Sequence, residues 1–138
     1  MRQNTLFISL RLLQKASEEE IEALYRHAGW WRDDWDRSFI SPMIRGSFLF
    51  AGAFCGGRQV GMGRVLSDGI SDAYIQDVVV LREFRGQSIG SRIISFLVKE
   101  LQQRNIDWIG LIGEPGTKNF YEQLGFREMT GFLPMRLS

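Results

Sequence analysis

Polar and apolar residues alternate from Thr5 to Leu13, the period of a first strand. The period then changes. Ile21, Leu24, Tyr25 and Ala28 recur at helical spacing. Ser17 is placed to cap that helix, Glu20 to complete a capping box, and Gly29 to stop it. The stretch 30–45 fits neither period. It reads as a loop and one short helix, with Ser41 as cap and Pro42 at the first helical position. From Ser47 to Phe54 the chain is rich in Phe, and Gly56-Gly57 is a hairpin signal. Gln59 to Leu66 returns, Ser67-Asp68-Gly69 turns again, and Asp72 to Val80 makes a third antiparallel strand of a meander. Ile89, Ile93, Phe96, Leu97 and Leu101 then predict a helix over 88–104. Asp107 to Gly113 reads as a short buried strand, and Thr117 to Leu124 as a helix closed by Gly125. Phe126–Met129 and Phe132–Leu137 read as two last strands. Strand, helix, strand after Asp72 implies a right-handed crossover between parallel neighbours. The expectation is an α+β domain with one central mixed, mostly antiparallel sheet flanked by helices.

Length and charge narrow this. With 138 residues the chain fits one domain, 1–138. A net charge of +1 argues against a general nucleic-acid binder. The longest apolar run, Phe48 to Cys55, is far below the roughly 20 residues a membrane span needs. Met1 to Leu13 lacks a signal-peptide core. One cysteine, Cys55, excludes an internal disulfide, so the cytoplasm is the expected compartment. No His, Cys or carboxylate cluster suggests a metal.

The chemistry concentrates after the third strand of the meander. Val78-Val79-Val80 ends that strand, a loop with Arg85, Gly86 and Gln87 follows, and a helix starts near Ser88. The first N–H groups of a helix have no internal acceptor, and its dipole favours an anion there. Gly86 and Gly90 allow close backbone approach. Residues 81–105 carry five basic and two acidic side chains, which suits a pyrophosphate.

Arg85-Gly86-Gln87-Ser88-Ile89-Gly90 resembles the acetyl-CoA motif of the GNAT N-acetyltransferase superfamily, with Ser88 where the first Gly usually stands. Phe120-Tyr121-Glu122-Gln123-Leu124-Gly125-Phe126, about 30 residues on, resembles the family's second hallmark. The resemblance implies a sheet splayed between its fourth and fifth strands, with acetyl-CoA as co-substrate in the opening. It implies that the backbones of Val78, Val79 and Val80 pair with the pantetheine arm. The N–H groups of Gly86, Gln87, Ser88, Ile89, Gly90 and Ser91, beside Arg85, would then hold the pyrophosphate, and Asn119 is a further cofactor contact. Tyr121 matches the tyrosine that protonates the departing thiolate.

For a base, the family's fourth-strand positions fall on Tyr74 and Gln76. Asp77 is one residue off, and by strict alternation it faces the other side unless a bulge turns it back. It is either a base or a structural hydrogen-bond acceptor. The acceptor rim would draw on Trp30, Trp31 and Trp35, with Gln76 below. Residues 17–36 hold seven acidic and two basic side chains, and carboxylates with aromatics suit a cationic or aromatic amine. The function implied is direct acetyl transfer to a small-molecule primary amine in a ternary complex. The alternatives are a protein or peptide amine, or a CoA-binding regulatory module without turnover. Neither nucleic acid nor membrane is an expected partner; a homodimer is an arrangement open to the chain.

Overall fold

The computed structural model describes residues 7–138. Five strands form one sheet in the order β1-β2-β3-β4-β5. β1 (Ile8–Leu12), β2 (Leu49–Cys55), β3 (Arg58–Ser67) and β4 (Asp72–Val80) run antiparallel, and β5 (Trp108–Leu111) lies parallel to β4. The mixed, mostly antiparallel sheet is as expected. The N-terminal part of the expected first strand, with Thr5, lies outside the described residues.

Helix α1 (Glu18–Ala28) is capped by the Ser17 hydroxyl, which accepts from Glu20 N at 3.2 Å, and it ends at Gly29 in the left-handed region. The capping box closes on one side only. The Glu20 carboxylate instead accepts from Gln59 N at 3.1 Å, tying α1 to β3. Asp36, not Ser41, caps the next segment by accepting from Ser38 N. A single 3₁₀ turn, Arg37–Phe39, leads straight into α2 (Ile40–Gly46). Ser41 therefore sits inside α2 and donates to Glu18 at 3.0 Å. Pro42 falls in the first turn, where its missing N–H costs no helical bond.

The long helix α3 (Ile89–Gln103) buries Ile89, Ile93, Ile94, Leu97 and Leu101 against the sheet, and Phe96 is only half-buried. Gly63 on β3 lets α3 approach closely, since a Cβ there would lie 2.9 Å from Ile93 and 3.2 Å from Leu97. Helix α4 (Lys118–Glu122) follows β5, and Gly125 turns the chain back with φ +97°.

Two expectations fail at the C-terminal end. β5 is not buried: it forms one edge of the sheet, and Trp108 is exposed. The segments Phe126–Met129 and Phe132–Leu137 form no strands. A turn at Gly131, with Phe132 N donating to Met129 O, separates them. Phe132, Leu133, Met135 and Leu137 lie exposed. An alternating pattern makes a strand only where a hydrogen-bonding edge meets it, and among the described residues none does.

Leu97 is fully buried between α3 and the glycines of β3. Leu97→Ala should lower unfolding free energy by about 3 kcal/mol in a urea titration. A loss below about 1 kcal/mol would show that this contact is not central to the core.

Candidate active site

β4 carries an irregularity at its middle. Met62 pairs with Val79 and Arg64 with Gln76, so β4 holds one residue more than β3 over this span. The extra residue is a bulge, and Asp77 takes φ +56° within it. Alternation is broken there, and Asp77 turns to the same opening as Tyr74 and Gln76. Its carboxylate accepts from Tyr25 Oη at 2.6 Å and from Arg64 Nε at 2.7 Å. Burial, first, and the Asp77 charge and hydrogen bond, next, push the Tyr25 phenol well above its usual range. Tyr25 is thus a permanent donor.

Beside the bulge the sheet splits. β4 and β5 pair from Asp72–Trp108 to Ile75–Leu111 and no further. The β5-facing backbone edge of β4 from Gln76 to Val80 is left open. A cavity of about 300 Å³ occupies the split. Tyr74, Gln76, Asp77 and Val78 line it from β4, Leu111 and Ile112 from β5 and its end, with Trp30, Glu114 and Tyr121 around them. Tyr121 is held by edge-on contacts with Phe120 and Phe126, at 4.9 and 5.9 Å between ring centres. Gly113 permits this approach: a Cβ there would lie 2.7 Å from Thr117 Oγ1 and 3.4 Å from the Tyr121 ring. Burial, first, and the nearby Glu114 charge, second, raise the Tyr121 phenol above its ordinary value. It stays protonated at neutral pH.

Past Val80 the open edge leads to the loop before α3. Gly86 has φ +81°, and Ser88 takes φ +61° and ψ +22° immediately before the helix. The first helical bond there is Arg92 N to Ser88 O at 3.0 Å, so the N–H groups of the first turn point out unsatisfied. Arg85, Gly86, Gln87 and Ser88 are exposed, while Ile89 anchors the turn in the core. Internal packing does not require a glycine at 90. A Cβ would meet Phe120 at 3.5 Å, an ordinary contact. Left-handed Ser88 followed directly by helical Ile89 is a pairing of the kind that turns successive N–H groups into one concavity. His27 steadies the loop: its Nε2 accepts from Arg82 N at 2.8 Å.

A loop with unpaired helix N–H groups, an open strand edge and a tyrosine-lined cavity thus follow one another along a single split. A GNAT acetyltransferase domain model matches residues 46–128. The chain belongs to the GNAT acetyltransferase family. It is 32% identical over 111 residues to an uncharacterized N-acetyltransferase, ycf52, of Gracilaria tenuistipitata var. liui, covering 78% of this chain and 60% of that protein. It is 39% identical over 69 residues to a histone acetyltransferase, TAP1, of Glycine max, covering 50% of this chain and 30% of that one. The chain therefore spans between about three tenths and three fifths of these relatives' lengths. A probable acetyltransferase from Staphylococcus aureus shares the fold, with a TM-score of 0.82 at 22% identity over 96% of this chain and 99% of that one.

In this GNAT chain the split gathers Trp30, Tyr74, Gln76, Asp77, Val78 and Tyr121. It leaves out Trp31 and Trp35, which pack with Phe39 at 5.2–5.6 Å between ring centres. Their apolar area is taken by one another. Asn119 is exposed on α4 and is not on the cavity wall, and Val79 turns its side chain into the core. Ile112 was not legible as a wall residue, because nothing in a short apolar strand marks which residue follows the split; Glu114 stands where the family's usual cofactor-contacting Asn would fall, and the structure puts it on the wall. Among the described residues no helix is long and apolar enough to cross a membrane.

A non-glycine residue in the left-handed region costs about 1 kcal/mol. Ser88→Gly should therefore stabilise the protein by about that amount in a urea titration. A destabilised variant would show that the Ser88 side chain contributes to the loop.

Proposed function

We propose that the chain is an acetyl-CoA-dependent N-acetyltransferase acting on a primary amine of a small molecule. The observation that carries this reading is the unpaired edge of β4 past Ile75, running from the cradle at 86–91 to the cavity under Tyr121. The open N–H and C=O groups of Val78 to Val80 suit a pantetheine arm, which can pair with them as an added strand does. The cradle N–H groups suit its pyrophosphate. Both lead the thioester towards the Tyr121 hydroxyl.

In the reaction, the neutral amine nitrogen bonds to the acetyl carbon and the carbon–sulfur bond breaks. Tyr121 gives its proton to the departing thiolate, and the proton lost by the nitrogen restores the balance through the open mouth of the cavity. In this reading the backbone N–H of Val80 or a neighbour polarises the thioester carbonyl. Asp77 is better suited to holding the bulge than to acting as base, because Tyr25 and Arg64 both bond one of its carboxylate oxygens and fix the side chain in place. Tyr74, half-exposed and stacked on Trp108 at 5.4 Å, forms wall rather than machinery.

A cavity of about 300 Å³ suits a small ligand. The relative named as a histone acetyltransferase favours a second reading, a protein amine. Thiol release from acetyl-CoA with a panel of small amines and histone-tail peptides separates the two. CoA binding without release to any amine would leave a regulatory module.

Tyr121→Phe should lower kcat at least tenfold with CoA affinity unchanged within about twofold. Equal turnover would remove its role as acid. Gly90→Val should raise the CoA Kd at least tenfold by calorimetry, and an unchanged Kd with native circular dichroism would contradict the cradle.

A further inference from the structure

Two carboxylates line the cavity, Asp77 and Glu114. The Asp77 carboxylate is neutralised by Arg64 at 2.7 Å. Among the described residues the Glu114 carboxylate has neither a hydrogen-bond nor an ion-pair partner. The bonds at this residue go to its backbone carbonyl, which accepts from Thr117 N at 3.2 Å and from Thr117 Oγ1 at 2.6 Å. They fix the loop between β5 and α4 and leave the side chain without a partner. The nearest basic residue in sequence, Lys118, is paired with Glu128 at 3.0 Å. No Lys or Arg lines the cavity. The wall therefore carries one uncompensated negative charge, and Trp30, Tyr74 and Tyr121 present aromatic surface around it.

We propose that Glu114 receives the ammonium group of the acceptor amine within this aromatic wall, and so sets the preference of the site for cationic over neutral amines. The proposal rests on the acetyltransferase reading for the identity of the cavity as the acceptor site. A carboxylate and aromatic faces together favour a cation by charge attraction and by the ring quadrupoles. The position also suits the chemistry. Glu114 is close enough for its charge to act on the Tyr121 phenol, so an ammonium seated on it lies near the group that serves the leaving thiolate. The nitrogen gives one proton to water at the open mouth of the cavity before it attacks, and loses a second on bonding to the acetyl carbon, which balances the proton Tyr121 gives the thiolate. The product amide is neutral. It then lacks the charge that held the substrate, which favours its release.

Phenethylamine, an ammonium ion at neutral pH, and aniline, neutral there, are the probes. Binding is measured by calorimetry on the CoA-saturated protein, and transfer by thiol release from acetyl-CoA. For E114Q, Kd and KM for phenethylamine should rise at least tenfold, kcat should change less than KM, and KM for aniline should move less than twofold. E114D should recover part of the loss. CoA affinity reports whether the variant is folded. If the unaltered protein fails to bind phenethylamine, or E114Q binds it equally well, the proposal is overturned. If phenethylamine binds through Glu114 but no amine is acetylated, the ammonium site stands and the acetyltransferase reading falls.

Discussion

Past Ile75, β4 has a strand partner on one side only, and the carboxylate of Asp77 fixes a bulge close to where the second partner is lost. Strand backbone left open is costly unless something else satisfies it, because every buried N–H and C=O needs a partner. Asp77 sits at φ +56°, a conformation a non-glycine residue takes only when its surroundings compel it. The compulsion is the pair of donors, Tyr25 from α1 and Arg64 from β3, both reaching the same carboxylate oxygen. The ion pair is partly buried, with 16% and 23% of the two side chains exposed, and such a pair adds little net stability. Its effect is on geometry. It favours the bulged form of β4, and the bulge brings Asp77 to the same opening as Tyr74 and Gln76.

The cradle at the other end of the open edge follows the same logic on a smaller scale. Ser88 takes a left-handed conformation that a glycine would adopt more easily, and the burial of Ile89 immediately after it keeps the turn in place. The strain is small beside the burial of the α3 face. His27 connects the two ends of the site, since α1 supplies both the acceptor for Arg82 N in the cradle loop and, through Tyr25, a donor to the bulge. One short helix thus sets the spacing between the anion site and the cavity.

The cavity wall is built differently from the pattern of the Trp- and Asp-rich stretch at 30–36. Only Trp30 of its three tryptophans reaches the cavity. Trp31 and Trp35 close an aromatic cluster with Phe39, and Asp36 caps the following turn. Local needs of the chain, packing and capping, absorbed residues whose composition resembled a binding rim. The negative charge that faces the cavity comes instead from Glu114, some eighty residues further along.

The sequence alone determined the elements with strong internal signals: the Ser17-capped helix, the Gly56-Gly57 hairpin, the amphipathic α3, and the Arg85–Gly90 loop between strand and helix. Each is fixed by contacts between residues near in the chain, so spacing and turn chemistry suffice to reveal it. The loop before α3 and the place of Tyr121 near the end of the chain were legible for that reason, together with a resemblance carried by two short motifs. Tertiary structure decided the rest. Whether Asp77 faces the cavity depends on a register shift against β3. Whether residues 132–137 form a strand depends on an edge to pair with, which no alternation in the sequence can supply. Glu114 became a wall residue only because β5 parts from β4 after Leu111. These are contacts between distant segments, and their energies are not written in the spacing of neighbours.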